Sequence, residues 1–136
     1  SRWFSGYNLG YLPENETNEI EILCGAFMFM RAETLEKTGL LDEAFFMYGE
    51  DLDLCLRIRQ AQMRIGFNPN TQALHLKGQS GRKKKNDHRN TSKTTSYHFW
   101  NAMKLFYLKH YKNTYSKLVG FFVLKTLNYK IKQYAK

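Results

Sequence analysis

The chain has 136 residues, of which 43% are hydrophobic and 24% charged, with a formal net charge of +9. That size fits one domain with a real core, or part of a larger one, and the hydrophobic share excludes wholesale disorder. Residues 1–76 carry 6 Lys+Arg against 11 Asp+Glu while residues 77–136 carry 15 against 1, so the rear of the chain seeks an anionic partner such as phosphate, nucleic acid or an acidic membrane surface.

The first nineteen residues, with Gly6, Gly10 and Pro13, show no periodicity and read as a loop entering from something upstream. From Ile20 the run IEILCGAFMFM is almost continuously apolar and is interrupted by Gly25, which predicts a strand buried on both faces. A short helix is expected over about Ala32 to Thr38, with Gly39 as its left-handed cap. A second spans about Glu50 to Ala61. Arg64–Phe67 and Thr71–Leu76 read as short extended segments around the Asn68-Pro69-Asn70 turn. Residues 78–93 form a polar, basic loop. Two helical segments, about Ser96–Tyr111 and about Tyr115–Tyr134, interleave aromatics with lysines.

Cys24 and Cys55 lie in apolar stretches without CxxC spacing, which suggests buried free thiols in a reducing compartment. Two short glycosylation-type patterns, Asn15-Glu16-Thr17 and Asn90-Thr91-Ser92, run against that compartment and recur by chance. There is no signal-peptide pattern and no apolar run near the ~18–20 residues of a spanning helix.

Residues 45–57, FFMYGEDLDLCLR, carry the densest information. Asp53 and Arg57 stand at i,i+4 and are expected to pair on the exposed side of the helix. Asp51 projects among Cys55 and Ile58, toward the protein. An inward carboxylate at the lip of a cleft suits a general base, because apolar surroundings favour taking a proton. A helix cap made by Glu50 or Asp51 is the structural alternative, and the two roles are compatible. His75, on the alternating segment before Gly78 and Ser80, could bind a divalent metal or a phosphate oxygen, or be an ordinary surface group. The run Arg82 to Lys85 could clamp a diphosphate or simply be solvated.

The ordered pieces Cys24-Gly25-Ala26, Phe27 to Arg31, Gly39 to Glu43, Phe45 to Arg57, Asn68-Pro69 and His75 through Ser80 closely resemble the C-terminal half of family 2 glycosyltransferases, nearest the bacterial rhamnosyltransferase-like enzymes. The resemblance covers about Leu23 to Ser80. It implies the α/β GT-A (nucleotide-diphospho-sugar transferase) fold, with a mixed, mainly parallel sheet between helices. Residues 1–80 would be its acceptor-side half, 81–95 a basic loop and 96–136 a helical tail. By position Asp51 matches the general base, Glu50 lies beside it in the acceptor site, and Cys24, Gly25, Ala26, Tyr48 and Arg82 fall on the substrate cleft. His75 matches a histidine that holds the divalent metal, Mg2+ or Mn2+, against the donor diphosphate.

The implied partners are a nucleotide-sugar donor and a saccharide or lipid-linked acceptor in surface polysaccharide synthesis, at a cytoplasmic location on the inner face of the plasma membrane. The family's nucleotide-binding half, with its Asp-x-Asp metal motif, is absent, so the chain by itself is expected to be inactive. Gln62 and Met63 replace the usual Gly and aromatic, which leads us to expect a different exit from the helix. The rival reading is a basic, non-catalytic module that binds an anionic membrane or nucleic acid.

Overall fold

The computed structural model of the chain describes Leu9, residues 11–74 and residues 93–135. In chain order the elements are β1 (Asn18–Ile20), α1 (Ala32–Thr38), α2 (Glu50–Gln60), β2 (Ile65–Phe67), α3 (Lys93–Phe106), a π-helical turn (Tyr107–Tyr111) and α4 (Lys117–Tyr134). Strands β1 and β2 pair antiparallel, with Ile20 opposite Ile65 and Asn18 opposite Phe67.

The core forms where α2 lies on this ribbon. Leu54, Cys55 and Ile58 recur at helical spacing, are buried, and meet Ile65, with Ile20, Leu23, Met28 and Met63 closing the edges. The other side of α2 faces the tail, where Phe45, Ala102 and Tyr107 are buried. Gly49 fits there because a Cβ would stand 3.2 Å from the Phe45 ring and 3.5 Å from the Ala102 methyl.

Several expectations need correction. The strand predicted from Ile20 stops at Ile20, and Phe27, Phe29 and Met30 are exposed, Phe29 to 86%. Burial on both faces needs neighbouring strands, and β2 is the one partner among the described residues. Among the described residues the sheet is a two-stranded antiparallel ribbon, and the mainly parallel sheet implied for the whole fold is not seen in them. Cys24, expected to be buried, is exposed because it sits in the turn that replaces this strand. Thr71–Leu74 form no strand, whereas the Asn68 turn is present and closed by the Asn70 amide on Asn68 Oδ1 at 3.0 Å.

Helix α1 has the expected bounds. Gly39 follows it at φ +78°, ψ 172°, a conformation essentially confined to glycine, although not the left-handed helical one. Helix α2 ends in a glycine-type turn despite Gln62. The Met63 amide bonds to Ile58 O at 3.1 Å, the Gln62 amide to Arg59 O at 2.9 Å, and Gln62 takes φ +59°. Met63 packs against the cluster that holds Ile58, completing the hydrophobic contact of this turn. Gln62 thus carries left-handed strain that a glycine lacks.

Candidate functional site

The start of α2 is set by two residues in unusual backbone conformations. Tyr48 has φ +69° and Gly49 φ +85°, so the chain enters the helix through a tight reversal. A non-glycine residue at positive φ costs on the order of 1–2 kcal/mol and persists only where its surroundings impose it. The Tyr48 ring packs edge-on against Phe99 of α3, 6.1 Å between centroids, which ties this reversal to the tail. The N-cap position is Gly49 and makes no side-chain cap, so neither Glu50 nor Asp51 occupies it.

Asp51 is half-buried at the edge of the helix. Its Oδ2 accepts from the Gly25 amide at 3.0 Å and its Oδ1 from the Leu52 amide at 2.8 Å. Gly25 eases this approach, since a Cβ there would lie in tight contact, 3.3 Å from the Asp51 Cβ. Cys24, Gly25 and Ala26 are exposed beside it, in a turn closed by the Phe27 amide on Cys24 O. A carboxylate fixed by two backbone donors still has free lone pairs toward solvent, which is the arrangement a proton acceptor needs. Glu50 follows directly on the reversal, and its Oε2 is buried with no hydrogen-bond partner among the described residues. Buried carboxylate oxygens are seldom left unpaired, so this atom marks a place for a donor.

Asp53 departs most from expectation. It pairs with Arg57 at 2.9 Å as predicted, but its side chain is 0% exposed because the π-helical turn after α3 covers this side of α2. Its Oδ1 meets Lys109 at 2.8 Å and His110 Nε2 at 2.6 Å, both from the π-helical turn. Lys109 also reaches Asp42 at 2.6 Å. Arg57 continues the network to the end of α1, donating to the carbonyls of Thr38, of Gly39 at 3.3 Å and of Leu40 at 2.8 Å. Burial would push the Asp53 carboxyl up, but the bonds from Lys109, His110 and Arg57 prevail and hold it below the ordinary carboxylate range. For Lys109 burial pulls the other way, and its bonds to Asp42 and Asp53 keep the ammonium above its usual value. Two carboxylates and two permanent cations thus neutralise one another, with His110 as an added ligand of Asp53.

Cys55 exchanges weak hydrogen bonds with the Leu23 backbone, and burial pushes its thiol up, which makes it a structural and unreactive sulfur. A groove of about 450 Å³ runs along Leu23, Met28, Arg31, Ile58 and Met63 and does not reach Asp51. His75 and Arg82 lie outside the described residues. Among the described residues no group of three His, Cys, Asp or Glu side chains could hold a metal ion, and His75, the residue matched to the divalent cation, lies outside them. Asp53, Lys109 and His110 were missed as a cluster. Of their pairings only Asp53 with Arg57 was visible, because His110 is 57 positions from Asp53.

The chain contains a glycosyltransferase-like region. The chain is 36% identical over 56 residues to Rhamnosyltransferase WbbL of Escherichia coli (strain K12), a match covering 41% of this chain and 21% of that protein. It is 30% identical over 73 residues to the Low-salt glycan biosynthesis hexosyltransferase Agl10 of Haloferax volcanii, covering 50% of this chain and 24% of that protein. The matches thus span about a fifth to a quarter of the length of these relatives. No family model and no solved structure matches the chain.

Proposed function

We propose that the chain is the acceptor-side half of an inverting family 2 glycosyltransferase of GT-A fold, with Asp51 as the general base. The observation that carries this reading is the Asp51 carboxylate, held by the Gly25 and Leu52 amides at the open start of α2. In the reaction, Asp51 takes the proton of an acceptor hydroxyl as that oxygen attacks the anomeric carbon of a nucleotide-sugar from the face opposite the diphosphate. The new C–O bond forms as the bond to the diphosphate breaks, and its electron pair leaves with the nucleotide. Glu50 lies beside Asp51 in the acceptor site, and the exposed Cys24, Gly25 and Ala26 form the adjoining wall.

The acceptor is a saccharide or a lipid-linked saccharide, and the sugar a hexose. The names of the two relatives, a rhamnosyltransferase and a hexosyltransferase, support transfer of this type. The divalent cation belongs to the complete enzyme, with His75 as the residue of this chain matched to it. The exposed Phe27, Phe29 and Met30 fit the same reading, since a nucleotide-binding half packed there would bury them. Transfer then requires both halves.

Asp51→Asn in the complete enzyme is expected to lower transfer by a factor on the order of 10²–10⁴ while the protein stays folded. Near-normal turnover by the folded variant removes Asp51 from the mechanism.

A further inference from the structure

Among the described helices of eight residues or more, α4 is the one that buries no side chain. Its half-buried positions, including Gly120, Val123, Leu127 and Ile131, recur at helical spacing and mark the side packed on α3. Gly120 leaves room there for the Tyr107 hydroxyl, which would stand 3.0 Å from a Cβ at this position. Lys130 closes the edge of that side, its ammonium 5.7 Å from the centre of the Trp100 ring.

The opposite side is apolar and in water. Leu118, Phe121, Phe122 and Tyr129 are between 57% and 68% exposed. Lys125 and Lys132 stand among them on the same side and Lys117 at its margin, all three exposed. Soluble surfaces mix both signs of charge, yet residues 93–135 contain eight lysines and no Asp or Glu. An exposed apolar patch in a field of one sign is a docking surface for an apolar partner bearing the opposite charge.

We propose that this face of α4 lies on an anionic lipid surface. Leu118, Phe121 and Phe122 enter the boundary between headgroups and acyl chains, while Lys117, Lys125 and Lys132 meet lipid phosphates. No described helix is long and apolar enough to cross a membrane, so the attachment is in the plane of the interface. Two alternatives fit less well. Single-stranded nucleic acid stacks on aromatic rings but gains little from Leu118 or Val119. A second copy would bring the same lysines against each other across a twofold axis. The proposal stands independently of glycosyl transfer.

The test is co-sedimentation of the full-length protein with phosphatidylcholine vesicles, with and without phosphatidylglycerol. It is run at low salt and at about 1 M salt, where the screening length falls to about 3 Å. Binding is expected with the anionic vesicles alone and is reduced at least about ten-fold by high salt and by the double variant Phe121→Ser, Phe122→Ser. Both side chains are exposed, so folding should survive; Lys125→Gln with Lys132→Gln provides a second variant that leaves the apolar residues intact and is expected to weaken binding as well. Recovery in the supernatant with both vesicle types at low salt overturns the proposal. So does vesicle binding that neither variant weakens, a preference for an oligonucleotide with the same Phe dependence, or a concentration-dependent dimer lost in the Phe variant.

Discussion

The two sides of α2 carry carboxylates two residues apart in opposite surroundings. Asp51 stands at the open edge, held by two backbone amides, beside an exposed turn. Asp53 is fully buried among Arg57, Lys109 and His110. Residue type is the same, and so is the helix. What differs is the element that covers each side, the Cys24–Ala26 turn for one and the π-helical turn for the other. A carboxylate that meets only backbone donors at an edge stays available to a substrate, whereas one surrounded by cations is committed to holding elements together.

The largest effect is expected on the committed side. Asp53→Ala should cost about 3–5 kcal/mol of unfolding free energy, because it leaves Arg57, Lys109 and His110 facing a buried site without their anion. Urea unfolding measures it, and a loss under about 1 kcal/mol would show that the network is dispensable. The network also sets the sign of the pH dependence. The Asp53 contribution is complete above the ordinary carboxylate value of about 3.9 and is lost as pH falls through the lowered folded-state value. The Lys109 contribution is present below about 10.4 and is lost as pH rises through its raised value.

Next comes the reversal that both sides share. Gly49→Ala places a Cβ at φ +85° and 3.2 Å from the Phe45 ring, so a loss of about 2–3 kcal/mol is expected. On the open side, Gly25→Ala pushes its new methyl against the Asp51 Cβ and lengthens the hydrogen bond that the residue 25 N–H donates to Oδ2. Transfer by the complete enzyme should fall about ten-fold with little change in melting temperature. Unchanged turnover would separate the Gly25 contact from the positioning of Asp51. The smallest effect has the opposite sign: Gln62→Gly relieves left-handed strain at the helix end and should stabilise by about 0.5–1 kcal/mol.

Helices α1 and α2 were legible because their signals are local. Apolar spacing places Leu54, Cys55 and Ile58 on one stripe, and Gly39 and the Tyr48-Gly49 pair mark the breaks. Asp51 and Gly25 could be named from the sequence, though the hydrogen bond between them crosses 26 positions and was not visible. The burial of Asp53 was illegible for the same kind of reason. On the isolated wheel Asp53 belongs to the polar arc, and only the docking of Lys109 and His110 turns that arc inward. The run from Ile20 failed as a strand because continuous apolarity reports what a segment can bury, while pairing depends on neighbours elsewhere. A change from α to π winding at Tyr107 has no evident signal in YLKHY.

The division of labour along α2 is tested most directly by comparing Asp51→Asn and Asp53→Asn in the complete enzyme, each assayed for both transfer and urea unfolding. Asp51→Asn is predicted to lose transfer by on the order of 10²–10⁴ with an unfolding free energy within about 1 kcal/mol of the parent. Asp53→Asn is predicted to lose about 3 kcal/mol or more of stability. Equal destabilisation by the two substitutions, or full transfer by Asp51→Asn, would contradict the account.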